Sequence, residues 1–313
     1  MSPTSAAFAG WPRDCTYDDR KTSSHRRMTA PIRIPPPPVP AVPRLQRARG
    51  RSRVSFRLSG GVTRLGELWQ EGCAKVRLPR VHDDRGPVAV LINTSGGITG
   101  GDEIVVEACW ETGARATVTA QAAERIYRRS AGVGRVRTRL SVGSAAHAAW
   151  LPQETIVFDG AGLDRTLDID LSPDASLVAV ESLVLGRTAM GERVRRLDLV
   201  DRWRLAIGGR LVFADALRLK GDAEAILSGP ATGGGAAAFA TLVAVGPDPD
   251  GRLAAVRATL DPLVGPGLEA GASVVGPVLA VRLLAVDGRA LRRALVPVAE
   301  TLTGGPLPRV WSL

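Results

Sequence analysis

The sequence predicts a mainly β fold: a single elongated domain of stacked, coiled antiparallel or mixed sheets with a few short helices. Three observations carry this expectation. Short runs of alternating apolar and polar residues recur between Arg53 and Ile207, Gly, Ser or Thr residues bound them, and no long helical pattern separates them as a βαβ succession would require. With 45% hydrophobic but only 4% aromatic residues, the core must be built from Val, Leu, Ala and Ile, and 313 residues are ample to enclose one.

Residues 1–27 are polar and charged without a hydrophobic period, and residues 31–43 hold seven prolines. Such a stretch cannot bury enough surface to offset its ordering entropy, so residues 1–50 are expected to form a disordered, basic, Pro-rich arm. Met28 directly precedes the prolines and is an alternative start, which would make residues 1–27 a spurious extension. The domain proper is expected to span 51–313.

Val54, Phe56 and Leu58 alternate with Ser55, Arg57 and Ser59 to give the first strand. Cys73–Leu78 and Val88–Ile92 read as the second and third. After a glycine turn come Ile104–Trp110, Ala116–Ala120 and Arg135–Val142. Trp150–Phe158, Arg165–Leu171, Leu177–Leu185 and Arg195–Ile207 continue the series, and Gly208-Gly209 signals a hairpin. Ala236–Val245 suits helix or strand equally. The best helix is Arg289–Thr301, with Leu291, Leu295, Val298 and Leu302 at helical spacing, Asp287 to cap it and Gly304-Gly305 to end it. No internal repeat is visible.

The net charge of +10 is concentrated in the arm, since residues 1–53 carry eleven basic and three acidic side chains while the remainder carries 30 and 28. A nucleic-acid partner would therefore have to use the arm, and the nearly neutral body argues against one. Cys15, Cys73 and Cys109 lack CxxC spacing and, with His25, His82 and His147, form neither a disulfide framework nor a zinc site. No apolar run approaches eighteen residues and no signal-peptide succession opens the chain, so a cytoplasmic protein without a membrane segment is expected. His82-Asp83-Asp84 precedes Arg85-Gly86-Pro87 and reads as a turn rather than a metal site. His147 and Cys109 are expected to pack within strands.

The turn Asn93-Thr94-Ser95-Gly96-Gly97-Ile98-Thr99-Gly100-Gly101-Asp102 invites comparison with a phosphate loop. Asp102 stands where a P-loop needs lysine, and a strand rather than a helix is expected to follow, so both argue against nucleotide binding by this loop. Two alternatives remain for the stretch: a long hairpin connection, or a backbone that folds against another surface while presenting Thr99 and Asp102. A metal-dependent enzyme using this loop is a further alternative, but no Ser/His/Asp order, HExxH or activated cysteine supplies a nucleophile or base, and no catalytic residue is assigned.

Together with Thr119-Ala120-Gln121-Ala122-Ala123-Glu124-Arg125-Ile126-Tyr127, Trp150-Leu151-Pro152-Gln153-Glu154, Leu185-Gly186-Arg187 with Gly191-Glu192, and Pro308-Arg309-Val310-Trp311, this turn resembles, block for block, the UreD (UreH) family of urease accessory proteins. The chain departs from the family's habit at Ser95, Thr119-Ala120, Arg125 and Ala148-Ala149. The resemblance implies a non-enzymatic protein that binds apo-urease with UreF and UreG and helps deliver Ni²⁺, through water-filled internal passages and with no tightly bound cofactor. It marks Gly96, Gly97, Gly100, Gly101, Thr119, Gln121, Arg125, Tyr127, Trp150, Pro152, Gln153, Glu154, Arg187, Arg309 and Trp311 as motif or interaction positions. A cation in transit needs oxygen ligands spaced along a path and weak enough to release it. Asp102, Glu103, Glu181, Glu192 and Asp215 are the candidates, with Glu181 and Asp215 interrupting apolar strand patterns; Glu154 is a further one. The competing expectation pairs most of them with Arg125, Arg187 or Arg193.

Overall fold

A computed structural model describes residues 46–80, 85–187 and 190–312. Most of the expected arm, including Met28, and the His82-Asp83-Asp84 turn lie outside these residues.

The chain first lays down β1 (Arg49–Ser59) and β2 (Val62–Gly72) as a hairpin in one sheet, A, then β3 (Ala74–Arg77) and β4 (Val88–Asn93) as an antiparallel pair in a second sheet, B. From there it alternates between the sheets: β5 (Glu103–Trp110) in A, β6 (Arg115–Ala120) in B, the short β7 (Glu124–Ile126), then β8 (Gly134–Val142) in A and β9 (His147–Leu151) in B. The short β10 (Thr155–Val157) leads to β11 (Gly162–Leu171) in A, β12 (Ser176–Leu185) in B and β13 (Leu197–Ile207) in A.

Strands of successive turns pair in parallel. Register partners Val88/Thr117, Arg115/His147 and His147/Ser176 lie 29, 32 and 29 residues apart, so each turn of this solenoid-like coil stacks on the last. The geometry thus repeats although no sequence repeat is visible. Charges on the outer face of sheet A follow the same stacking: Arg53, Glu107, Arg139, Asp168 and Arg204 are in register across five strands, with Arg53 and Glu107 2.9 Å apart.

The coil ends in antiparallel structure. β14 (Arg210–Gly221) returns on β13 through Gly208-Gly209, with φ of 56° and 78° as a primed turn requires. After α1 (Ala223–Leu227), β15 (Ala238–Val245) joins sheet B beside β12, which resolves the ambiguous stretch as strand. α2 (Pro249–Leu260) precedes the hairpin β16 (Leu268–Val275) and β17 (Val278–Ala285), and α3 (Gly288–Thr303) closes the fold. Asp287 caps α3 by accepting from the Ala290 amide at 2.7 Å, and Gly304 ends it at φ 74°, as the sequence suggests.

Two apolar layers result. Phe56, Trp110, Leu140, Leu167 and Trp203 of sheet A meet Val118, Trp150 and Leu177 of sheet B inside the coil. The outer face of sheet B, with Val180 and Leu242, is covered by Val256 and Leu260 of α2 and by Leu291, Leu295 and Val298 of α3. Among the described residues, no helix is long and apolar enough to cross a membrane.

Candidate functional site

The glycine turn is an arc that carries the chain from sheet B to sheet A, so the hairpin alternative does not hold. It packs against β7 and the residues that follow it. The Ile98 amide donates to the Arg125 carbonyl at 2.7 Å, the Tyr127 amide returns a bond to the Ile98 carbonyl at 2.8 Å, and the Tyr127 hydroxyl donates to the Gly96 carbonyl at 3.2 Å. A Cβ on Gly97 would lie 2.3 Å from the Tyr127 ring, and one on Gly100 would lie 2.0 Å from the Ala131 carbonyl oxygen. Only glycine allows that approach. Gly96 and Gly101 have φ of 77° and 90°, where glycine is equally favoured.

Asp102 is buried, and its carboxylate accepts the Ala48 and Thr99 amides, each at 2.8 Å. It fastens the arc to the chain entering β1, which is why β1 begins at Arg49, four residues before the alternation becomes visible in the sequence.

Behind the arc, between the sheets, lies a cavity of about 220 Å³. Gly96, Gln121, Arg125, Trp150, Pro152 and Gln153 all line it, so motif residues drawn from three separate blocks converge on one space. At the arc end stands Glu124, which receives a 3.1 Å bond from the Asn93 amide; desolvation raises its carboxyl above the ordinary range despite that donor.

At the deep end is a buried ionic group. Arg165 Nη1 donates to Glu181 Oε2 at 2.5 Å and to Thr155 Oγ1 at 3.1 Å, while its Nε and Nη2 grip Asp201 at 2.9 and 2.7 Å. Trp150 Nε1 donates to the other Glu181 oxygen at 2.9 Å. Arg165, Glu181 and Asp201 are only 4%, 7% and 7% exposed, so Glu181's burial pushes its carboxyl upward, and Arg165 beside it opposes that rise.

From Glu181 the polar line continues. Thr241 and then Arg282 are its successive register partners on sheet B, Arg282 donates to the Thr241 hydroxyl at 2.8 Å, and it reaches Asp215 of sheet A at 2.7 Å. Glu181 and Asp215, two of the candidate passage carboxylates, therefore belong to one row that leads from the buried ionic group out to the exposed Arg282. The other three do not. Asp102 holds backbone, Glu103 lies 3.8 Å from Arg137 on sheet A, and Glu192 pairs with Arg187 at 2.8 Å. Of the anticipated arginine partners only Arg187 matches its carboxylate; Glu181 takes Arg165, Asp215 takes Arg282, and Arg193 binds Glu224 instead.

Two further clusters gather the remaining motif residues apart from Arg309. Trp311 Nε1 donates to Thr119 Oγ1 and to the Leu151 carbonyl, both at 3.2 Å, and Gln153 donates to the Val310 carbonyl at 2.9 Å. Arg292 of α3 stacks over the Trp311 ring at 5.1 Å, donates to its carbonyl, and bonds Gln153 and Glu154 at 3.1 and 3.2 Å. This fixes the C-terminal strap to sheet B beside the cavity. On the surface, Tyr127 meets Phe158 edge-on at 5.2 Å, and the Arg187 guanidinium sits 4.8 Å above the Phe158 ring. Glu192 binds the Asp159 amide there, and against a desolvation that pulls upward, bonds from Arg195 and Arg196 hold the Asp159 carboxyl below its ordinary range.

Arg165, Asp201, Arg282 and Arg292 were not marked by the sequence. Arg165 shares the inward phase of Leu163, Leu167 and Ile169, and Asp201 that of Leu199, Trp203 and Leu205, so a charge on an apolar phase was the available signal. His147, expected to be packed, is exposed because it opens β9, while Cys109 is fully buried. Among the described residues, no three His, Cys, Asp or Glu side chains are grouped to hold a metal ion.

The sequence profile of the UreD urease accessory protein family matches residues 48–312. The chain is similar to the urease accessory protein UreD of Chelativorans sp. (strain BNC1), 46% identical over 270 residues that cover 86% of this chain and 95% of the relative. It is equally similar to that of Methylobacterium sp. (strain 4-46), 46% identical over 277 residues covering 88% and 98%. The protein of the same name in Rhizobium rhizogenes (strain K84) is 48% identical over 274 residues covering 86% and 97%. With the match spanning every strand and helix described above, the chain belongs to the UreD family of urease accessory proteins, non-catalytic participants in urease maturation.

Proposed function

We propose that this protein, in the cytoplasm, holds apo-urease in a complex with UreF and UreG and gives Ni²⁺ a sheltered route along the row from Glu124 through Glu181 to Asp215. The observation that carries the proposal is the cavity itself, with motif residues of three blocks at its wall and a carboxylate at each end. Nickel is cargo here, not a resident cofactor.

Physical chemistry favours transit over storage. A divalent borderline cation prefers several oxygen or nitrogen ligands at once. Glu181 offers one carboxylate already engaged by Arg165 and Trp150. With both carboxylates ionised, the group of Arg165, Glu181 and Asp201 has a net charge of −1, which attracts a dication without trapping it. Arg282 beside Asp215 plays the same moderating part at the far end of the row.

The test is assembly and activation with Glu181→Gln and Asp215→Asn. Both keep side-chain shape and remove charge. Complexes should assemble in normal yield while nickel incorporation into urease falls; undiminished incorporation in the double variant rejects the route.

A further inference from the structure

A second cleft, of about 440 Å³, lies on the opposite face of sheet B from the interior cavity, under the C-terminal strap, and shares no lining residue with that cavity. Basic side chains from three parts of the fold converge on it: Arg115 and the imidazole of His147 from the starts of β6 and β9, Arg252 from α2, and Arg309 from the strap. Arg115 and His147 are cross-strand register partners, and Ser176 is the next partner of His147. Beside them Gly246 has Arg252 Nη1 and Ser176 Oγ on the same side, each 3.1 Å from where a Cβ would be. The hydroxyls of Thr117 and Ser312 also line it, while that of Thr303 donates to the Ala299 carbonyl at 2.8 Å.

Among the described residues lining the cleft there is no Asp or Glu. The bonds seen from Arg252 go to neutral carbonyls, Leu302 at 3.0 Å and Val245 at 3.4 Å. Burial lowers the pKa of Arg252, and burial followed by the charge of Arg115 lowers that of His147, which favours a neutral imidazole there. The floor is apolar, formed by Ala149, Val178, Leu302 and Leu307. Along sheet A arginines such as Arg53 and Arg202 face carboxylates, so a basic rim over an apolar floor differs from that face.

We infer that this cleft binds a small organic oxyanion, a carboxylate or phosphate ester carrying an apolar body, which the guanidinium groups hold by charge-assisted bonds while the floor covers the body. Because the cationic groups sit on sheet B, α2 and the strap, the ligand would tie the strap that carries Trp311 to the body of the protein. Arg309, a motif residue with no part in the row through Glu181 and Asp215, acquires a role.

Titration calorimetry on the full chain tests this with phenyl phosphate, benzoate and inorganic phosphate. Saturable binding of one aromatic oxyanion with a Kd near or below about 1 mM is expected, with inorganic phosphate weaker because it leaves the floor uncovered. The two aromatic probes tell a phosphate site from a carboxylate site. Arg115→Gln with Arg309→Gln, both at exposed positions, should weaken binding at least about tenfold, and Arg252→Gln comparably. Arg210→Gln with Arg218→Gln on β14 should change nothing. The inference is overturned if neither aromatic probe saturates, or if the β14 variant weakens binding as much as the cleft variants do.

Discussion

Replacing Arg165 with methionine probes the centre of the structure. The guanidinium makes four hydrogen bonds, two of them to Asp201 and one to Glu181, in a site where none of the three charged residues is more than 7% exposed. Methionine fills similar volume but strands two buried carboxylates. Breaking a buried pair from one side costs about 3–5 kcal/mol, because the remaining charge is left without compensation. For a domain of this size that lowers the melting temperature by on the order of 10 °C.

The deficit must also depend on pH with a definite sign. Desolvation raises the folded-state pKa of Glu181, so its contribution is fully present below the ordinary carboxylate pKa and lost as pH rises through the raised value. Removing Arg165 raises that pKa further, so the deficit should be largest at neutral pH and shrink as the solution is acidified. Asp159 and Glu192, held low, titrate in the opposite direction but are common to both proteins and cancel in the difference. Thermal unfolding of both proteins at pH 7 and at about pH 5 supplies the comparison. A loss below about 3 °C at pH 7, or a deficit that grows on acidification, would refute the buried-ion account.

Three other perturbations have clear expectations. Gly97→Ala forces a methyl group against Tyr127 and should destabilise by roughly 1–3 kcal/mol, read from denaturant midpoints, whereas Gly60→Ala, with open space around it, should suffer only the milder strain of its positive φ. Trp311→Ala removes a buried ring with two hydrogen bonds and should cost about 3–5 kcal/mol while making the strap sensitive to protease. Asp287→Ala deletes the α3 cap and should cost about 1 kcal/mol without altering the strap's protection.

The sequence made faces legible but not neighbours. Period two identifies which side of β5 or β11 is buried, and Gly208-Gly209 or Asp287 with Gly304 mark a turn and a helix outright. Nothing local says that Glu103 lies beside Arg135, because parallel partners meet across a full turn of the coil and the turns share no motif. β2 escaped notice because its half-exposed residues, VTRLGELWQEG, do not alternate cleanly. α2 escaped because it buries only Val256 and Leu260, although Asp248-Pro249 was a readable start. The motif blocks likewise named Trp150 and Gln153 but not the arginines that organise them, since Arg165 and Arg292 acquire their partners only through tertiary contact.

Asp102 teaches a related lesson. Its place in the glycine arc suggested a ligand-facing carboxylate, and its bonds to two backbone amides make it a structural fastener, so alanine there tests folding rather than transit. Glu181 is the cleaner probe. The most direct measurement is the nickel content of urease matured with Glu181→Gln in place of the wild-type chain, in complexes first shown to contain the same partners in the same amounts. The interior-route account predicts at least about a tenfold drop in the rate of nickel incorporation, equivalent to about 1.4 kcal/mol at the limiting step. Incorporation at the wild-type rate, with assembly intact, would contradict it.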